Sequence, residues 1–126
     1  MSISPRWGNT ECLKAGMVVS NEPGYYKDGA YGIRIENLLE IQNVPSDDDE
    51  NESNGGDGKK KFFQFKKLTM IPIQKNLINV KLLSDDELDW LDSYHKEVYQ
   101  TVSPLLEQDS PAMAWLAASC SKMERK

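Results

Sequence analysis

The chain has 126 residues, of which 39% are hydrophobic and 28% charged, and a formal net charge of -5. That length suits one domain or part of one, and the net acidity excludes nucleic acid as an expected partner, because phosphate binding needs a concentrated basic surface. No apolar run reaches the length of a membrane span, and the polar start lacks the apolar core of a secretory signal. Two isolated cysteines, Cys12 and Cys120, form neither a zinc motif nor a disulfide framework. The expectation is a cytoplasmic chain without membrane contact.

Residues 1–14 show no period and read as a lead-in. Met17-Val18-Val19-Ser20 reads as a strand after Ala15-Gly16. Pro23 cannot donate to a sheet ladder, so it marks a strand end, an edge or a bulge. Lys27-Asp28-Gly29 is a turn signal. Residues 31–42 then alternate, with Ile33, Ile35, Leu39 and Ile41 on one face and Arg34, Glu36, Leu38 and Glu40 on the other. The turn between the two strands favours antiparallel pairing. The run from Pro45 to Gly58 has no apolar side chain besides the proline, cannot offset its ordering entropy, and is expected to be disordered.

Phe62 to Ile73 reads as a third strand, closed by Pro72. Ser84 and Glu87 fit a capping box that opens a helix. Leu88, Leu91, His95, Val98, Val102 and Leu105 recur at helical spacing as one apolar stripe, and Pro104 should end or restart it. Ser110-Pro111 suits the first positions of a second helix, carrying Met113, Trp115, Leu116 and Cys120. The fold class expected is therefore α+β, antiparallel strands followed by two helices. The alternating strands, and the stripe with Trp90 and Trp115 beside it, expose more apolar surface than so thin a piece can cover.

Glu22 and Glu36 are the candidates for chemistry. Each sits in or beside an apolar strand, and antiparallel pairing could bring the carboxylates to one point. Oxygen ligands of this kind suit manganese and similar ions. Spacing alone does not separate that role from a pair of solvated strand-end glutamates. Ser20 and Cys12 have no histidine base beside them, so nucleophilic catalysis is unsupported. Tyr25, Tyr26 and Tyr31 could line a cleft or simply pack, and His95 reads as a core or interface residue.

The flanking residues carry more. Gly16-Met17-Val18-Val19-Ser20-Asn21-Glu22-Pro23-Gly24-Tyr25-Tyr26, followed by Tyr31-Gly32-Ile33-Arg34-Ile35-Glu36-Asn37, closely resembles the end of the catalytic domain of aminopeptidase P, the Xaa-Pro branch of the pita-bread metallopeptidases. Leu68 to Gln74, with Leu88 to His95, resembles the C-terminal extension of the cytosolic eukaryotic form. The resemblance implies a partial pita-bread fold over residues 1–44, an acidic disordered loop over 45–61, and an extension of one strand and two helices over 62–126. It also implies a site of two manganese ions held by five side chains, the last two matching Glu22 and Glu36, with Arg34 as a supporting catalytic residue behind them and Pro23-Gly24 shaping the turn that aims Glu22. Glu22 would hold one ion and Glu36 would bridge both. A metal-held hydroxide would then release the residue before proline from peptides with proline at the second position. The family's extension contributes to dimerisation, so a homodimer is expected.

The sequence departs from that pattern. No pair of aspartates in a ligand-type setting precedes Glu22, no histidine precedes it, and His95 is the sole histidine. Three of the family's five ligands, two aspartates and a histidine, are thus missing, as are its catalytic histidines. The expectation is a fragment inactive by itself. The alternatives are a non-catalytic dimerisation or regulatory module, or a truncated gene product.

Overall fold

The structure, a computed structural model, describes residues 11–45 and 62–124. The expected lead-in before residue 11 and nearly all of the expected acidic loop lie outside them. The chain divides into two compact units, Met1–Thr69 and Met70–Lys126.

The described residues of the first unit form β-structure and its connections. Its strands are β1 (Val18–Asn21), β2 (Gly24–Lys27), β3 (Tyr31–Arg34), β4 (Asn37–Asn43) and β5 (Phe63–Lys67). One sheet has the order β1-β4-β5, and β2 and β3 form a separate two-stranded ribbon, every pairing being antiparallel. The expected strand at 31–42 is therefore broken at Ile35-Glu36, and Gly24–Lys27 is a strand that sequence patterning did not suggest.

Pro23 explains the break. Asn21 stands opposite Asn37 at the end of one ladder, and Gly24 stands opposite Arg34 at the start of the other. Advancing one residue at a time from the first pair places Glu22 opposite Glu36 and Pro23 opposite Ile35, and then meets the second ladder in step. The two ladders thus share one register. The Ile35 N–H still donates to the Pro23 carbonyl at 3.2 Å, but Pro23 has no N–H to return the bond. Pairing lapses there and resumes without a slip.

Both ends of this long hairpin use glycine in the left-handed region. Gly29 (φ 68°) lies in the turn that Ala30 closes by donating to the Lys27 carbonyl at 3.0 Å. At the other end Gly16 (φ 84°) donates to the Ile41 carbonyl while the Ile41 N–H donates to Met17. Two residues thus oppose one, as in a bulge led by a left-handed glycine.

On the far side of β4, β5 adds Glu40 opposite Lys66, a favourable cross-strand charge pair. The third strand ends at Lys67, earlier than its apolar run suggested. Beyond it the Thr69 hydroxyl accepts the Leu38 N–H at 2.9 Å. Ile41, on the central strand, is fully buried. Elsewhere the strands stay open: Tyr31 is 60% exposed and Phe65 55%. This is the uncovered apolar surface that strand alternation implied.

The second unit is built on helices α1 (Asp85–Val102) and α2 (Pro111–Cys120), preceded by short 3-10 turns at Lys75–Leu77 and Val80–Leu82. The capping box forms as expected. Ser84 Oγ accepts the Glu87 N–H at 3.2 Å, and the Glu87 carboxylate accepts the Ser84 N–H at 2.8 Å, which lowers the Glu87 carboxyl below its ordinary range. Pro104 stands in a 3-10 turn, Ser103–Leu105, that ends α1. Ser110 caps α2 through the Met113 N–H, with Pro111 in the first turn. The far end of α2 is held by Lys75, whose ammonium donates to the Ala118 and Ser121 carbonyls at 2.8 and 2.9 Å. A cation there also suits the helix dipole. Among the described residues no helix is long and apolar enough to cross a membrane.

The core of this unit joins Tyr94 and Val98 of α1 to Leu116 of α2, with Met70, Ile73, Val102, Leu106 and Cys120 packed around them. Leu91, His95 and Val98 of the expected stripe are buried. Leu105 is not: at 81% exposure it lies past the end of α1, where the helical period no longer governs which way it points. Tyr94, outside the stripe, is buried because its hydroxyl can reach a partner, the Ile71 carbonyl at 2.8 Å. Trp90 stacks on the Tyr94 ring at 5.9 Å while remaining 56% exposed.

His95 is fully buried. Its Nε2 accepts the Ile73 N–H at 3.1 Å, and its Nδ1 has no hydrogen-bond partner among the described residues. Accepting that bond requires an unprotonated Nε2. Burial pushes the imidazole pKa below its ordinary value, the Lys75 ammonium adds to that, and Asp92 opposes it. The folded state therefore binds its proton less readily than the unfolded chain. Stability from this group is fully present above about pH 6.5, the ordinary histidine value, and is lost progressively as pH falls from there toward the folded value. Urea midpoints measured from pH 8 to 5 should fall on this limb and flatten in His95→Gln. An NMR titration midpoint above the ordinary value would contradict it.

Candidate metal centre

The shared register fixes the geometry of the two candidate ligands. Directly opposed residues of an antiparallel pair point to the same face, with Cβ atoms about 4.5–5.5 Å apart. Carried through the lapse between the ladders, the register sets Glu22 and Glu36 at opposed positions. Both are exposed, Glu22 with 42% of its side chain open to solvent. The cost of burying a carboxylate therefore does not operate on either of them among the described residues. Like charge at opposed positions does, and it disfavours the pairing.

Period-two alternation puts Ser20, Glu22, Gly24 and Tyr26 on this face from one side, and Gly32, Arg34, Glu36 and Leu38 from the other. The polar members form a network around Glu22. Ser20 Oγ donates to Glu22 Oε1 at 2.6 Å, Arg34 donates to Glu22 Oε2 at 2.6 Å, and Arg34 Nε donates to the Tyr26 hydroxyl at 2.8 Å. The guanidinium carbon lies 5.9 Å from the Tyr26 ring centre. Arg34 is held further toward its charged form first by the Tyr26 hydroxyl, then by Glu22 and more weakly by Glu36. Glu36 has neither a hydrogen bond nor an ion pair among the described residues.

The structure thus brings Glu22, Glu36 and Arg34 to one face. Arg34 shares the Glu36 face as expected, but it donates to Glu22 across the ribbon. Ser20 and Tyr26 join the cluster, the former having been weighed only as a nucleophile and the latter only as cleft lining or packing. Their contacts were not legible because β2 was not. His95 belongs to the other unit's core.

Paired carboxylates with an organised hydrogen-bond shell fit a divalent cation, and a cation would relieve the like-charge opposition. They fit as part of a site only. Among the described residues no group of three or more His, Cys, Asp or Glu side chains could hold a metal.

Comparison with known proteins identifies the family. Residues 2–43 match the model of metallopeptidase family M24, and residues 61–123 match that of the C-terminal region of peptidase M24. Aminopeptidase P2 of Arabidopsis thaliana is 51% identical over 115 residues, covering 91% of this chain and 15% of the relative. A probable Xaa-Pro aminopeptidase P of Laccaria bicolor is 48% identical over 115 residues, 91% of this chain and 17% of the relative. Among solved structures, an X-prolyl aminopeptidase from Caenorhabditis elegans, described as a cytosolic enzyme with a di-nuclear active site, superposes with a TM-score of 0.67 at 33% identity. That match covers 88% of this chain and 17% of the other. The chain therefore spans about a sixth of the length of the proteins it matches. Its antiparallel strands and two helices are a partial pita-bread fold, and the chain belongs to metallopeptidase family M24, of which it includes the C-terminal region.

Proposed function

We propose that these residues are the C-terminal portion of a manganese-dependent Xaa-Pro aminopeptidase, and that Glu22 and Glu36 are two of the five side chains holding its pair of ions. The observation that carries this is the opposed placement of the two glutamates in the register shared by the two ladders, in a chain whose relatives are Xaa-Pro aminopeptidases. On this reading residues 1–44 end the catalytic domain, 45–61 are a connecting acidic loop, and 62–126 are the extension. The substrate is a peptide with proline at its second position.

When bound, the ions supply Lewis acidity toward the peptide carbonyl and lower the pKa of water. The residues of this chain hold and orient. Glu36 presents an open carboxylate. Glu22 is fixed at both oxygens, by Ser20 and by Arg34. Arg34 keeps a permanent positive charge beside the carboxylates and, with Tyr26, sets the direction from which Glu22 faces the site. The C-terminal unit, with Trp90 and Leu105 exposed, supplies a contact for a homodimer. The cytoplasm is the compartment proposed, as in the nematode enzyme.

The test is metal content and turnover. The longer protein carrying this segment should bind two manganese ions per chain and release the first residue of an Xaa-Pro peptide. The 126 residues by themselves should do neither. Turnover with two bound ions in the isolated chain would overturn the assignment of the remaining ligands to residues outside it.

A further inference from the structure

Gly24 and Gly32 are not glycines for conformational reasons. Among the described residues, the glycines with positive φ are Gly16 and Gly29 alone. What Gly24 and Gly32 leave free is space, and the Tyr26 ring fills it. Gly32 stands directly opposite Tyr26 in the ribbon, and Gly24 precedes Tyr26 by two residues on the same face. A methyl group at Gly32 would stand 2.6 Å from Tyr26 Cδ1, and one at Gly24 would stand 2.5 Å from the Tyr26 hydroxyl oxygen. No real side chain tolerates such distances. The ring therefore lies flat across two bare stretches of backbone, and this posture brings its hydroxyl to Arg34 Nε.

We propose that Gly24 and Gly32 are positioning residues for the metal centre: together they form a floor that holds the Tyr26 ring down, so that its hydroxyl fixes Arg34 and Arg34 fixes Glu22. The chain of contacts runs from backbone to ring, from ring hydroxyl to guanidinium, and from guanidinium to carboxylate. The inference rests on the assignment of Glu22 as a metal ligand. Tyr26 is 58% exposed, so a methyl at position 32 pushes the ring out toward solvent without disturbing a core. The substitution should leave the fold intact and break the relay. This separates a floor from an ordinary structural glycine.

The experiment is a double-substitution cycle in the longer, manganese-loaded protein, read as metal affinity. Gly32→Ala should weaken manganese binding about 10–100-fold, the range for partners that orient a ligand, with little change in unfolding midpoint. Tyr26→Ala should do the same. In the Tyr26→Ala background no ring remains to displace, and adding Gly32→Ala should change affinity by no more than about twofold. A Gly32→Ala loss that is equal in both backgrounds, or no loss at all, overturns the proposal. A second readout is independent of metal and activity. In the metal-free longer protein, the Arg34 Nε–H resonance should move with Gly32→Ala as it does with Tyr26→Phe. If the longer protein cleaves no Xaa-Pro peptide, the functional assignment falls, and this resonance still decides the floor: movement upholds it and an unmoved signal overturns it.

Discussion

Glu36→Gln should abolish binding of both ions and reduce turnover by more than the roughly 100-fold upper limit seen for residues that merely orient a ligand. The amide keeps the size of the side chain and removes the charge. Glu36 has no hydrogen-bond partner among the described residues to compensate, and under the proposed function it serves both ions. Glu22→Gln should cost one ion and leave the other, because only one ion depends on it. Metal content per chain distinguishes the two variants. A further sign should accompany the loss. Neutralising one of two directly opposed carboxylates removes a like-charge pairing, so metal-free Glu36→Gln should unfold no earlier than the wild type. A variant that lost stability and metal together would point to a structural role. Retention of two ions in Glu36→Gln would exclude it as the shared ligand.

Leu116→Ala should destabilise the helical unit by about 2–5 kcal/mol, the cost of a large truncation in a packed core. Leu116 is 2% exposed and is the sole buried residue that α2 contributes. It packs with Tyr94 and Val98, and α2 is short, with the partly buried Cys120 beside it in the cluster. Helices of this length depend on tertiary packing for most of their stability. Thermal melts followed by far-ultraviolet circular dichroism should show helical signal lost at lower temperature. The same substitution at Leu105, which is 81% exposed, should move the melt little. Equal effects at the two positions would contradict the packing described.

The helical unit was the more legible part of the sequence. Ser84, Glu87, Ser110 and Pro111 act through local rules, and local rules can be read from spacing: the boundaries of α1 and α2 fall where those residues place them. The stripe failed only at Leu105, beyond the proline that ended its helix. The strands were harder. Alternation identified the faces but could not show that Pro23 interrupts two strands at once, its own and the one across from it, because the missing N–H is felt by the partner at Ile35. The candidate ligands were legible through their flanking residues. Their shell was not. Whether Arg34 turns to Glu36 or crosses to Glu22 depends on register, and the reach of Tyr26 depends on two glycines whose meaning lies in the space above them.

The common register on either side of Pro23 restricts how this hairpin can change in length. The turn at residues 28–30 can take extra residues, because they add to the loop and leave both arms in step. The arms cannot. One residue gained or lost between Glu22 and Lys27, or between Tyr31 and Glu36, would rotate one carboxylate to the opposite side of the ribbon while its counterpart stayed in place. Only a compensating change in the other arm, or a bulge that absorbs the odd residue, would restore them. Parity therefore governs the relative lengths of the two arms, and not the total separation of the glutamates in sequence. Length variation among working versions of this hairpin should collect at its tip, and single-residue deletion scanning along the arms should alternate between loss and recovery of metal binding as deletions are paired across the strands.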